Sequence, residues 1–369
     1  SEGEFRLFFF IVLMLLIFIM AARTPLDSDM WWHLHAGRDT LKEGVPTLMD
    51  TYSFTRYGSE WINHSWLSQV IMYLVYFYAN TPGLSLLVAV SALVSLGLIY
   101  VQMDGNAILN GVLLILAAIV ASWVWSPRPQ VFSLILFAWV YLIIYKYKYH
   151  RINHLWQLFP IFVLWSNLHA GFSLGLILLL FTIIGELIYK ILSIDTPFGM
   201  DWKQLGSLAL WSAACLIAIL INPNGFDTWL IPFKTVGVST LQNFINEWAS
   251  PDFHQPGMFF FLILLFLGGI SFGIVKRQVD GSDLLVFVGF AGMALVSQRN
   301  FAPFALIAAP VAGRYFSYFI KDAKSIKVSY LRIFSNISKE SKPLKSVLRK
   351  IINLSIVFLL TLVSVIKLI

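Results

Sequence analysis

Charge is what this chain has least of. Only 12% of its 369 residues are Asp, Glu, Lys or Arg, where an ordinary soluble domain carries roughly 25%. Hydrophobic residues make up 58%, a balance that points away from a water-soluble globular fold. Cysteine is nearly missing as well. The single Cys215 excludes an internal disulfide and any cysteine-based zinc site, and it reads as a small buried hydrophobe inside an apolar run. No P-loop, GxSxG, HExxH or dinucleotide-binding fingerprint occurs in a supporting context. Nucleotide-driven pumping and the familiar soluble hydrolase designs therefore have no support. No internal repeat is evident, which argues against a transporter built from inverted halves. Ionisable residues inside the apolar runs are few, Glu186 being the main one, so a transporter ranks last among the functions considered.

What the chain has instead is continuous apolar sequence. Several runs approach the roughly 20 residues a helix needs to cross a bilayer. They lack the alternation of an outer-membrane barrel, so the expected fold is an all-α polytopic membrane protein. Candidate spans lie at 6–22, 83–102, 107–125, 130–146, 155–167, 171–192, 206–221, 257–275, 283–298, 301–316 and 351–369, about eleven in all. The first reads as a spanning helix and not as a signal peptide, being too long for that core. The net charge of +7 suggests nucleic acid at first sight. However, nine of the 26 basic residues fall between Lys321 and Lys350, beside the last apolar run. There they set topology and touch anionic lipid, so no nucleic-acid partner is expected.

The short run 66–79, followed by Thr81-Pro82-Gly83, decides the orientation. If it crosses, every later helix inverts. If it lies in the interface or re-enters, KYKYHR (146–151), the lysines of 190–203, Lys276-Arg277 and the 321–350 block all face the cytoplasm. The positive-inside rule selects the second choice, with the N-terminus inside. The expected organisation is a helical membrane domain over 1–316 with outer loops at 23–65 and 222–256. A basic, amphipathic cytoplasmic linker over 317–350 and a final transmembrane helix at 351–369 follow. This topology also puts the polar motifs together on the outer face.

The densest motif is the 23–65 block, with DSDMWWHLHAGRDTLKEG near its start. Residues 29–43 fit a helix ended by Gly44 and Pro46. It reads as an amphipathic juxtamembrane helix with Met30, Trp31, Leu34 and Leu41 as its apolar side and Trp31 and Trp32 as interfacial anchors. Asp29 and His33 are four apart and share a face, as a proton-handling or cation-binding pair would. The plainer reading is that Asp29 or Asp27 caps the helix; one helix needs one cap, which leaves the other acid free. Asp50 suits a turn, Glu60 solvent, and His64 either a site or an interfacial position.

Five later motifs share that face. Arg128, between two prolines in SPRPQ, needs an anion: a substrate phosphate, a lipid headgroup or an internal salt bridge. His169, in WSNLHAGFSLG, breaks an apolar stretch where a wet cavity or packing explains it. INPNGFDTW reads as a turn. Glu247-Trp248 can meet a sugar by hydrogen bonding and stacking, or form a surface pair. Arg299 is a second phosphate candidate, with snorkelling as the alternative.

DSDMWWHLHAGRDTLKEGVPTLMDTYSFT and GSEWINHSWLS resemble the first outer loop of a group of multi-spanning bacterial proteins. The likeness continues through SPRPQVFSL, LWSNLHAGFSLG, INPNGF, NEWASPDF and QRNFAPFALIAAP. More loosely, the block resembles the GT-C superfamily of integral-membrane glycosyltransferases, which includes oligosaccharyltransferase catalytic subunits and protein O-mannosyltransferases. The resemblance implies a GT-C-like fold in a bacterial plasma membrane and an active face outside. It implies a polyprenyl-phosphate sugar as donor, with Asp29, and next Asp27, as general base or ligand of a divalent cation such as Mg or Mn. On that expectation, and from the residues themselves, His33, His64 or His169 would assist, Arg128 or Arg299 would hold the donor phosphate, and His169, Glu247 and Trp248 are the further candidates to meet substrate. The chain lacks the WWDYG-type acceptor motif, which argues against a peptide acceptor. The alternative is a non-catalytic membrane subunit or scaffold of a larger complex, docking a membrane protein partner through its tryptophan-rich loops.

Overall fold

The structure is a computed structural model that describes residues 2–25, 27–236, 244–325 and 346–368. Among the described residues there are thirteen α-helices and no strand beyond the isolated bridge Met49–Glu60. In chain order they are α1 (Glu2–Ala21), α2 (Asp29–Glu43), α3 (Trp66–Tyr100), α4 (Ala107–Ala121), α5 (Gln130–Tyr149), α6 (Leu158–Leu168) and α7 (Phe172–Ile191). Then follow α8 (Trp202–Ala218), α9 (Asp227–Val236), α10 (Phe259–Gly273), α11 (Gly281–Val296), α12 (Phe301–Ser325) and α13 (Ser346–Ile366). Six helical stretches are long and apolar enough to cross a bilayer: Gly3–Ala21, Trp66–Tyr100, Ala107–Val124, Gln130–Tyr149, Phe172–Ile191 and Pro256–Gly273. The chain is a helical membrane protein.

The core forms around α12. Its alanines 302, 305, 308, 309 and 312 are fully buried, as are Phe301 and Phe304. Small side chains let neighbouring backbones approach closely, which is how helices associate where lipid removes the hydrophobic drive. Helices α4, α10 and α11 pack around it, and aromatic pairs such as Phe261–Phe301, stacked with ring centroids 4.5 Å apart, fill the gaps. Helix α13 lies against α1.

Several boundaries differ from the sequence expectation. Helix α12 continues past 316 to Ser325, so the start of the 317–350 linker is helix; residues 326–345 lie outside the described residues. The 222–256 loop carries a helix of its own, α9, while 237–243 lie outside the described residues. In α2 the expected limits hold, but the apolar face is corrected. Met30, His33, Leu34 and Gly37 are buried against α3, whereas Trp31 and Leu41 are exposed. The rotation follows from close approach: a Cβ on Gly37 would lie 2.1 Å from the Gln69 carbonyl oxygen, so this glycine marks the contact line.

Helix α3 is two arms joined at Asn80, whose φ of 50° breaks the helix just before Pro82. The first arm begins where Trp66 Nε1 donates to Asn167 Oδ1 at 2.8 Å and Ser68 Oγ to the Leu168 carbonyl at 2.7 Å. Beyond the kink, Ser85 Oγ donates to the Arg23 carbonyl at 2.8 Å. Arg23, Asn167 and Leu168 all sit at one end of the bundle, so the 66–79 arm starts and finishes there. This end is the motif pole. The other is the basic pole, where Tyr145 meets Asp104, Tyr147 meets the Gln204 carbonyl and Arg151 meets Gln204.

Candidate active site at the motif pole

The two acids before α2 have different jobs. Asp27 Oδ1 accepts the Asp29 backbone N–H at 2.9 Å, so Asp27 satisfies one of the free donors at the helix start. Ser28, at the cap position, makes no side-chain cap bond. Asp29 is thereby released, and its side chain remains 48% exposed.

Arg128 ties the motifs together. The SPRPQ turn leads into α5 and turns its guanidinium onto three carboxylates. Nε lies 3.1 Å from Asp27 Oδ2, Nη1 3.3 Å from Asp29 Oδ2 and Nη2 2.7 Å from Glu247 Oε2. The internal-salt-bridge reading of Arg128 is therefore the one the structure displays. Arg299, on the short turn between α11 and α12, is less committed. Its Nη1 is 3.5 Å from Glu247 Oε1, and its guanidinium lies 4.6 Å from the centre of the Trp248 ring. Glu247 is held in place through its backbone, where its carbonyl accepts from Ser297 Oγ at 3.0 Å.

Three histidines stand behind this charged layer. His33 packs against Trp32, ring centroids 3.6 Å apart, and its Nδ1 is 3.4 Å from the Gln69 amide. Burial, together with the charges of His64 and Arg128, pushes it down to about 3. Burial also lowers His64 to about 4; its Ile62 backbone contact opposes the shift and Arg299 adds to it. His169 lies well below its ordinary value, through burial first and then the charges of His64, Arg299, His33 and Arg128. All three are neutral imidazoles at physiological pH. The His64 and His169 rings are 6.1 Å apart.

An amide network fixes the frame. Asn63 and Gln69 exchange hydrogen bonds at 2.9 and 3.0 Å. Asn167 Nδ2 donates to the Ile221 carbonyl, Asn222 to Ser166 and Asn224 to Asn63. The INPNGF turn is thus a brace between the 63–69 segment and the α6–α7 junction, a role its turn chemistry alone did not show. Asp50 is also structural, accepting from Tyr52 N, Ser53 N and Ser53 Oγ, and Glu60 is exposed.

Among the described residues, no group of three or more His, Cys, Asp or Glu side chains is placed to hold a metal ion. Asp29 Oδ1 has no partner among the described residues, and Asp27, Asp29, Glu247, Arg128 and Arg299 sum to a charge of −1. One carboxylate oxygen beside two guanidinium groups does not fill the shell of a divalent cation, so the residues placed here do not by themselves fit one.

Sequence reasoning missed a second cluster, at the basic pole. Lys148, only 1% exposed, is enclosed by Glu186 Oε1, Asp280 Oδ1 at 2.6 Å and Ser282 Oγ at 2.7 Å. Beside it, Arg314 Nη1 lies 2.5 Å from Asp283 Oδ2 and 2.8 Å from Tyr149 Oη. The available signal was the DGSD sequence that opens α11, an acid at the cap position with a second acid three residues later, in the first turn.

The chain matches no protein-family model and no curated protein.

Proposed function

We propose that the motif pole is the active centre of a GT-C-like glycosyltransferase. It faces the outside of a bacterial plasma membrane in an eleven-span topology and uses a polyprenyl-phosphate sugar. The observation that carries this reading is the convergence of Asp27, Asp29, Glu247 and Arg299 on or beside Arg128, from motifs spread along almost the whole chain. Among them, Asp29 alone combines exposure with freedom from capping.

The chemistry then follows from geometry. An acceptor hydroxyl at Asp29 gives up its proton to the carboxylate as its oxygen bonds to the sugar's anomeric carbon. The anomeric carbon–oxygen bond to phosphate breaks, and its electron pair leaves with the polyprenyl phosphate. That leaving group is already good, so positioning supplies much of the rate. Arg128 is a positioning residue that fixes the three carboxylates. Arg299 is the cation for the phosphate, and Trp248 is a stacking wall for the sugar. The donor enters sideways from the bilayer.

Native mass spectrometry of the detergent-purified protein with its retained lipids tests this, with wild type beside Arg299→Ala. The expected result is a polyprenyl-phosphate species on the wild type that is depleted in the variant. Bulk phospholipid alone on both would overturn the reading. So would a stoichiometric protein partner together with full tolerance of Asp29 and His64 substitution, which is the signature of a scaffold.

A further inference from the structure

His169 sits at the end of α6 with extended backbone (φ −168°, ψ 147°), and three groups decide which of its ring nitrogens carries the proton. The Gly171 backbone N–H donates to Nδ1 at 3.1 Å. A backbone N–H can only donate, so Nδ1 must present its lone pair. Ser133 Oγ is 2.8 Å from the same Nδ1. That hydroxyl accepts the Trp165 indole N–H at 2.7 Å, and an indole also only donates, so the hydroxyl hydrogen is free to point at Nδ1. The relay therefore runs in one direction, from Trp165 to Ser133 to His169.

The neighbourhood is built for this arrangement. A Cβ at Gly171 would fall 2.4 Å from Ser133 Oγ and 2.8 Å from Nδ1, so only glycine lets the backbone reach the ring. Trp165 and Ser133 are buried, which keeps water from competing for the relay. With Nδ1 an acceptor twice over, the neutral ring carries its hydrogen on Nε2. Nε2 has no partner among the described residues, and His169 as a residue is only partly buried. Arg299 and Arg128 are close enough for their charges to act on this ring.

From this relay we infer that His169 binds a phosphate oxygen of the lipid-linked donor through a fixed Nε2–H. It acts beside Arg299 as a hydrogen-bond donor and not as a base. The inference rests on the transferase reading for the identity of the ligand. A neutral donor suits the place: it adds a directed hydrogen bond to an anion without adding a third cation next to two arginines. A base or a metal ligand at Nε2 would need the opposite tautomer, which the Gly171 N–H excludes.

Two substitutions separate this role from a structural one. Asn at 169 keeps an oxygen where Nδ1 was and can accept the Gly171 N–H in an Asx turn, but it loses the donor at the Nε2 position. Gln keeps an N–H near the Nε2 position and loses the turn bond. The probe is farnesyl monophosphate, titrated into detergent-solubilised wild type, His169→Asn and His169→Gln, each first shown to be monodisperse. The expected result is near wild-type affinity for Gln and a loss of about ten- to a hundredfold for Asn, the effect of one hydrogen bond to a charged group. Nitrogen NMR of histidine-labelled wild type should show protonated Nε2 and bare Nδ1 at the signal that His169→Gln removes. Wild-type affinity in Asn with loss in Gln overturns the inference, as do equal affinities in all three proteins or a protonated Nδ1. A wild type that does not bind the probe overturns the transferase reading, and this inference with it.

Discussion

At the basic pole, Lys148 is closed in by Glu186, Asp280 and Ser282, and Arg314 by Asp283 and Tyr149. At the motif pole, Arg128 reaches three carboxylates, yet one of them, Asp29, stays half in the open. Both clusters join helices that are distant in the chain. They differ in what is left over. The Lys148 lattice has its carboxylates bonded on all sides: Glu186 also accepts from the Met200 N–H, and Asp280 from Ser282 and Asp283. Ions so far from water are costly unless paired and hydrogen-bonded; Lys148 is so held, while Arg314 beside it is paired through Nη1 and keeps Nε and Nη2 buried without a partner among the described residues. At the motif pole, Asp29 Oδ1 and His169 Nε2 have no partner among the described residues. Paired charge shut away from water marks a clamp, and spare valence beside solvent marks a site.

The comparison breaks most sharply at Lys148. Replacing it with Met removes the cation and strands Glu186 and Asp280 in the interior. Breaking a buried ion pair from one side costs about 3–5 kcal/mol. Thermal melting in detergent should show a large drop, with much of the protein lost on purification. The triple variant Lys148→Met, Glu186→Gln, Asp280→Asn removes the charges together and should recover most of that loss. If Lys148→Met melts like wild type, the lattice is no clamp and the contrast between the poles fails.

A sequence reader sees one of these clusters and not the other, for a physical reason. The motif pole could be read because its residues are polar, dense and interrupt apolar runs. The lysines and arginines of the opposite loops also sorted these motifs onto one face. Helix α2 could be read to its last residue because Gly44 and Pro46 stop it. Its buried face could not, since Trp31 and Leu41 are as apolar as Met30 and Leu34; packing against Gln69 and Tyr73 of α3 chose between them. Lys148 sits within KYKYHR, where it has the same sequence signature as a topological anchor. Its partners lie 38 and 132 residues away, and no local pattern links them. Arg128 shows the intermediate case: its need for an anion was legible, but the three carboxylates that meet it come from tertiary structure.

An acid titration sharpens the contrast at middling size. His33 and His64 are held neutral in the fold at about 3 and about 4, below the ordinary 6.5. The unfolded chain therefore takes up protons first as pH falls. Their contribution to stability is complete above about pH 6.5 and is lost progressively as pH drops toward 4 and 3. For His33, which is buried, the loss between pH 7 and pH 5 is on the order of 1–2 kcal/mol. His64, held neutral down to about 4, adds a loss of the same sign. Melting temperature should fall over that interval, and His33→Gln should flatten the fall. An unchanged slope in His33→Gln would mean that the imidazole is not held neutral.

The smallest expected effect on stability belongs to Asp29→Asn, and for that reason it says most about the site. Asp29 makes one charged contact, 3.3 Å from Arg128 Nη1, with nearly half its side chain in solvent. Exposed ion pairs are worth about 0–1 kcal/mol. Asp27 continues to cap α2, and Asp27 and Glu247 continue to hold Arg128. Asn keeps the shape, so melting should move within that small margin. A transfer assay with a polyprenyl-phosphate sugar should behave in the opposite way, since an amide cannot accept the acceptor's proton; turnover should fall by about 100-fold or more, the usual contribution of a positioned base. A folded Asp29→Asn protein with unchanged turnover removes Asp29 from the chemistry. A protein that instead melts far below wild type makes Asp29 part of a clamp, and the motif pole then resembles the basic pole after all.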